Sequence, residues 1–498
     1  MMIVEFALKR PKTVIVLVVL ITIIFASQFP RVKIDTDPEN MLSPEEPVRV
    51  FHNKVKKEFG INEMIVLGIL REDGIFHIDT LKRIKEITDR IMKIKGVVAE
   101  DIVSLSVTNN VVARSGTLHV RPPLYRIPES NRDIERLKKE VLDNPMFKDR
   151  LVSADARGAA IYIPIVSKEV AHEVASEIRA IYESMKGPEK YYMAGLPLAE
   201  DTFGAEMFKQ MAVVAPLAGG FLMILLWLMF RRLSLVIPAM VVAMLSVLWT
   251  MGAMIGMGYT VHIMSSMIPV FLMPIAVCDS VHVLSDFYER YPQLKDRARA
   301  IKEVFQELFK PMLYTSLTTS VGFANLAWAK IPPVKVFGLF VALGVMFAWL
   351  LTITFVPASL MLIKTQRLEG IRTRHKKSKL LTLFTGLSIK KSRLIIITGV
   401  IMVMVAIYGV SLLRVNDNPV KWFKKNHPIR VADSVLNRII GGTYISYLVF
   451  EGKEKDSMKD PQVVKYIDNL QQYLTEHHLV GKTTSVADVI KRINYVLH

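Results

Sequence analysis

MPIAVCDSVHVLSDFYER, Met273 to Arg290, prolongs an apolar run that begins near Ile263 and yet sets Asp279, His282 and Asp286 within it. These three ionisable residues stand three and then four positions apart, so on a helix they share one face. Whether that helix lies in a soluble core or in lipid decides the fold. Composition points to lipid: 51% of the 498 residues are hydrophobic and the mean hydropathy is +0.32, more than soluble domains carry. The chain reads as a multi-pass membrane protein. In a bilayer, ionisable residues are rare and mark ion pathways or proton relays.

Runs of about 20 apolar residues, the length that crosses roughly 30 Å of hydrocarbon, occur seven times: Thr13–Phe29, Met211–Phe230, Leu233–Tyr259, Ile263–Phe287, Met312–Ala329, Val336–Ile363 and Leu394–Leu413. The first follows basic residues but is long and lacks a small-residue cleavage site, so it reads as an uncleaved anchor. The net charge of +18 gathers beside the spans, at Lys9, Arg10 and Lys12, at Arg231 and Arg232, and between Lys364 and Arg393. That placement suits cytoplasmic anchors and leaves no nucleic-acid face. It puts the N-terminus in the cytoplasm, 30–210 and 414–498 outside, and 289–310 and 364–393 inside. The segments expected are 1–30 as the first span, 31–205 as an external domain, 206–363 as spans two to six, 364–393 as a basic linker, 394–413 as span seven and 414–498 as a second external segment. Within the linker, KKSKLLTLFTGLSIKKSR (Lys376–Arg393) reads as an interfacial helix. The single cysteine, Cys278, excludes an internal disulfide and any multi-cysteine metal site.

The chain also repeats itself. One constant offset lays ALKRPKTVIV (from Ala7) on SIKKSRLIII (from Ser388), and without a gap it lays Pro38 on Pro419, Pro47-Val48-Arg49-Val50 on Pro428-Ile429-Arg430-Val431, and Gly60 on Gly441. The first copy holds one span, a large external domain and five further spans. The second reaches only the position matching Thr117, so five of its spans are expected to lie outside this sequence.

Strand and helix patterns alternate in the external domain: EMIVLGIL, VVAEDIVSLSV, GAAIYIPIV and KYYMAG as strands, with DTLKRIKEITDRIMKI, SNRDIERLKKEVL and SKEVAHEVASEIRAIYESM as helices. Such alternation predicts small split α/β sandwiches. No glycine-rich phosphate loop, metal-spaced histidine pair or nucleophile elbow occurs, so no enzyme, cofactor or metal site is expected.

One span, an external α/β loop, five spans and a duplication together resemble the resistance-nodulation-division (RND) superfamily, above all its MMPL-like exporter branch. YTSLTTSVGFANLAWAKIPPVKVFGLFVALGV (Tyr314–Val345) is similar to that family's fifth-to-sixth-span signature at Thr315, Thr318, Thr319, Gly322, Phe323, Pro333, Phe337, Gly338 and Gly344. Asp279 stands where these exporters carry an intramembrane Asp, although Ser280 replaces the aromatic residue that often follows and His282 is added. The resemblance implies a helical bundle of RND or sterol-sensing-domain type in the plasma (inner) membrane, with external ferredoxin-like porter domains. It implies proton-driven export of hydrophobic or lipid-like molecules, with Asp279 as proton carrier. Homo-oligomerisation or a second polypeptide carrying the other half would complete it. The alternative from another class is a non-transporting lipid or sterol sensor or scaffold.

Burial opposes ionisation, which brings a carboxyl and an imidazole towards the same working range of pH, so Asp279, His282 and Asp286 form a candidate relay. Asp279 and His282 could equally serve as structural hydrogen-bonding residues, and Asp286 falls near the cytoplasmic interface, where a carboxylate is cheap. Ser280, Thr315, Ser316, Thr318 and Thr319 are candidates to line the relay, although such hydroxyls also bond back to their own helix.

Overall fold

A computed structural model describes residues 1–114, 117–363, 386–413, 418–452, 454–477 and 480–497. Along the chain the helices are α1 (Met2–Lys9), α2 (Pro11–Ala26), α3 (Pro47–Phe59), α4 (Ile78–Ile91), α5 (Asn131–Leu142), α6 (Ala171–Glu183), α7 (Leu196–Phe230), α8 (Leu233–Gly256), α9 (Ile263–Ser266), α10 (Ile268–Leu294), α11 (Arg297–Ala324), α12 (Pro332–Leu362), α13 (Ser392–Ser411), α14 (Pro428–Ile439), α15 (Pro461–Glu476) and α16 (Val486–Leu497). The strands are β1 (Ile34–Asp35), β2 (Glu63–Leu70), β3 (Asn110–Arg114), β4 (Thr117–Arg121), β5 (Gly158–Ile165), β6 (Lys190–Ala194) and β7 (Val261–His262). They divide into a membrane unit (Met1–Asp35, Asn40–Ser43, Met207–Asp417) and a second unit (Thr36–Glu39, Pro44–Glu206, Asn418–His498).

Six helices of the described residues are long and apolar enough to cross a membrane. The fifth-span expectation, Met312–Ala329, falls on the end of α11 and a short 3-10 turn, Asn325–Trp328. The first half of α11 carries Arg297, Arg299, Lys302, Glu303, Glu307 and Lys310, a charged extension ahead of the expected span, and the helix is not among the six. In the membrane unit α12 packs against α2, α8, α10 and α11. Where two helices come close, glycine permits it. A Cβ on Gly252 of α8 would lie 2.5 Å from the Phe25 carbonyl oxygen, and one on Gly338 of α12 would lie 2.6 Å from that of Phe323. Trp249 Nε1 donates to Thr22 Oγ1 at 2.9 Å, joining α8 to α2. In contrast α13 covers no apolar face, since none of its residues is buried. Most of the linker, 364–385, and with it the first ten residues of the interfacial helix expected at Lys376–Arg393, lie outside the described residues; of the rest, 386–390 are helical and Ser392 and Arg393 open α13.

The second unit is organised on an antiparallel sheet in the order β5-β2-β6. Glu63 pairs with Ile165 and Leu70 with Gly158 along one edge of β2, and Val66 pairs with Ala194 on the other. EMIVLGIL is an almost continuous apolar run because β2 is central and buried: Ile65, Val66, Leu67 and Ile69 are inaccessible to solvent. The strand expected in Val97–Val107 forms only isolated bridges, Val97 to Ile165 and Val103 to Tyr162, because a 3-10 turn at Ala99–Asp101 interrupts it. A hairpin, β3-β4, was not expected; α16 packs on it. Helix α5 begins where Ser130 caps it, its Oγ accepting from the Asp133 amide at 3.2 Å.

Two buried ion clusters brace this unit. Lys168 Nζ lies 3.2 Å from Asp37, 2.8 Å from Glu39 and 3.0 Å from Glu200. Burial works against its charge, but Glu39, Glu200 and Asp37 outweigh it, and the amine is held above its ordinary range. Glu189 accepts from Arg83 Nη2 at 2.8 Å and from Thr80 Oγ1 at 2.5 Å. Burial pushes its carboxyl up, yet Arg83 and Thr80 prevail and hold it below the usual value.

Candidate functional site

Helix α10 buries Ile268, Leu272, Ala276, Ser280, Val283 and Phe287 on one side, a stripe with helical periodicity. Cys278 and His282 stand on the opposite, exposed side, and Asp279 lies half-buried at the edge between them. There Ser316 Oγ, buried on α11, donates to Asp279 Oδ2 at 2.7 Å. A hydrogen bond of this kind fixes the carboxyl group against the neighbouring helix. His282, one turn further along, is exposed and makes no hydrogen bond among the described residues.

The remaining candidates separate. Ser280 is buried and its hydroxyl meets Thr352 of α12 at 3.1 Å, away from Asp279. Thr315 bonds back to the Pro311 carbonyl, Thr318 to those of Tyr314 and Thr315, and Thr319 to that of Thr315. Of the five hydroxyl candidates, only Ser316 reaches the carboxylate. Asp286 is engaged by Arg290 at 3.0 Å, and Arg290 also contacts Glu307 of α11 at 2.5 Å. This ion cluster clamps α10 to α11 and sits about two helical turns from Asp279.

Signature residues serve packing. Pro333 is buried in the first turn of α12, and Phe337 stacks edge-on with Phe271 and Phe323, at 5.5 and 6.2 Å. Gly338 admits the end of α11, whereas Gly322 faces open space. Thr352, Arg290 and Glu307 were not singled out from the sequence. A signal existed for Ser316, which follows the buried Met312 by four residues and so falls in the buried phase of α11. A second unforeseen pair joins His262 Nε2 to Asp35 at 3.1 Å, beside the two-residue pairing of β1 with β7. Among the described residues no group of three or more histidine, cysteine or acidic side chains could hold a metal ion.

The MMPL family model matches residues 79–393, which include α10, α11 and α12. A membrane protein of Methanocaldococcus jannaschii is 23% identical over 370 residues, 71% of this chain and 91% of the relative. Human protein dispatched homolog 3 is 34% identical over 82 residues, 16% of this chain and 6% of that protein. With its apolar helices and with a family match over more than half its length, the chain belongs to the MMPL family of multi-pass membrane proteins.

Proposed function

We propose that the protein is a proton-coupled exporter, or exporter subunit, of hydrophobic or lipid-like molecules, in which Asp279 takes up and releases the proton. The observation that carries this reading is the Ser316–Asp279 hydrogen bond at 2.7 Å, midway along an apolar helix, with His282 exposed beside it. A half-buried carboxylate held by one hydroxyl is anchored yet reachable, which a proton carrier requires. One charge moving through 100 mV releases about 2.3 kcal/mol, enough for a gradient of roughly fifty-fold per proton. No chemical step on the substrate is needed. In this reading the membrane is the plasma (inner) membrane, the second unit lies outside, and its ferredoxin-like porter character is the part that handles substrate.

Cys278, His282, Thr315 and Thr318 are all exposed. Polar and ionisable groups on the outside of a membrane bundle favour a partner surface, either a second copy or a second polypeptide, over bare lipid.

The test is reconstitution in liposomes under an imposed proton gradient, comparing wild type with Asp279→Asn, with and without lipid cargo. Proton flux that vanishes in the variant supports the relay. Flux equal in both, at background, would refute self-sufficient transport and favour a sensor.

A further inference from the structure

RPPLYRIPE (Arg121–Glu129), which runs from the end of β4 towards α5, encloses with that helix a small polar cavity of about 90 Å³ in the second unit. Three prolines, Pro122, Pro123 and Pro128, fix φ along the loop. Leu124 pins it: the side chain is fully buried, and the amide donates to the Leu105 carbonyl at 2.9 Å. Tyr125 closes a turn, its amide donating to the Pro122 carbonyl at 3.2 Å. The backbone is thus held in place, while Tyr125 and Arg126 stand exposed on it.

Arg121, Arg126 and Arg136 all line the cavity. The guanidinium of Arg121 lies 4.1 Å from the centre of the Tyr125 ring and that of Arg126 lies 5.5 Å from it, so one ring gathers two cations. Elsewhere in this unit arginines are paired, Arg71 with Asp73 and Asp79, Arg83 with Asp79 and Glu189. None of the three cavity arginines has a carboxylate within 4 Å or donates a side-chain hydrogen bond among the described residues. Carboxylates of the same lining are engaged by other donors: Asp133 accepts from Ser130 Oγ at 2.7 Å and Glu140 from Asn110 Nδ2 at 3.1 Å. Asp133 also registers the local field, since the Ser130 hydroxyl first, and then Arg126 and Arg136, hold its carboxyl below the usual range against the effect of burial. Three like charges around one cavity repel one another, and each carries N–H donors that no described side chain uses.

We propose that Arg121, Arg126 and Arg136 form a binding site for one phosphate-type oxyanion, either free in solution or as the head of a lipid. Guanidinium forks match the oxygens of such a group two at a time, and the anion relieves the repulsion among them. The cavity sets the size: it has room for a few waters or one small oxyanion and none for an acyl chain, so a lipid enters by its head alone. Glu129 and Asp133 in the same lining limit the positive charge, which suits a singly charged phosphate over a polyphosphate. The site shares no residue with the candidate relay and holds whether or not Asp279 carries protons.

The test is equilibrium dialysis of the purified full chain in detergent against radiolabelled inorganic phosphate at fixed ionic strength. Arg126→Gln and Arg136→Gln are each expected to weaken phosphate binding at least about tenfold, whereas Arg132→Gln, on α5 but outside the lining, is expected to leave it within about twofold. Each variant removes one of three mutually repelling cations, so thermal unfolding midpoints should not fall, and circular dichroism checks this. Unlabelled competitors added to the micelles separate the two sources. Displacement of the label by phosphatidylglycerol but not by diacylglycerol supports a lipid head in the site; binding that phosphatidylglycerol leaves unchanged supports a soluble phosphate. Absence of saturable phosphate binding, or binding that both Arg126→Gln and Arg136→Gln retain at the level of Arg132→Gln, would overturn the proposal.

Discussion

At the scale of single residues, the structure assigns different work to three groups that one helix face brings together. Asp279 is tied to Ser316, His282 is unencumbered, and Asp286 belongs to the Arg290 and Glu307 cluster. Asp286→Asn is therefore expected to leave Asp279-dependent proton flux within about twofold. Ser316→Ala removes a hydrogen bond to a charged group, worth about 1.5 to 3 kcal/mol, and is expected to slow flux tenfold or more. Equal losses in the two variants would return Asp286 to the relay. In the second unit Glu189 offers a test in pH. Its folded pKa is depressed, so its contribution to stability is complete above its ordinary value near 4.5 and is lost as pH falls through the folded value. Glu189→Gln should remove a share of stability on the order of 3 kcal/mol at pH 7 and should flatten the acid limb of a urea-midpoint profile; an unchanged acid limb would assign that limb to other carboxylates.

At the scale of elements, the repeated helices provide a matched pair. Leu436→Ala empties a site under Gly68 and should destabilise the second unit by about 2 to 5 kcal/mol, whereas Phe51→Ala, at a bare position of α3, should change it by less than about 0.5 kcal/mol. Chemical denaturation of both variants decides it, and equal losses would mean that α3 is covered after all. The same comparison explains what could be read in advance. Spans, β2, β5, β6 and the helices between them carry strong periodic or continuous apolar patterns, and these are local. Val97–Val107 carries an apolar strand pattern too, but pairing is settled by the turn at Ala99–Asp101, which composition does not reveal. The start of α11 was hidden for a related reason: its apolar half was visible, while the charged half that lengthens the same helix looked like a loop. At the site the ionisable residues stood out because lipid makes them rare. Which of five hydroxyls would face Asp279 depended on the rotation of α11 against α10, a tertiary quantity that a hydroxyl-rich stretch leaves open.

At the scale of the whole molecule, the described residues fall into two units, each with a hydrophobic core of its own. The membrane helices satisfy their backbone hydrogen bonds internally and owe nothing to urea-sensitive burial against water. The second unit is held by the β5-β2-β6 core and by buried ion clusters, so denaturant should act on it first. The tryptophans make this measurable. Trp227, Trp249, Trp328 and Trp349 belong to the membrane unit, and Trp422 to the other, where its ring lies 4.6 Å from Phe203. In a variant with the four membrane-unit tryptophans changed to phenylalanine, Trp422 emission should shift to the red at a urea concentration where most far-ultraviolet helical signal persists. A single transition, with emission and helical signal lost together, would mean that the two cores unfold as one cooperative body, and stability would then have to be argued for the chain as a whole.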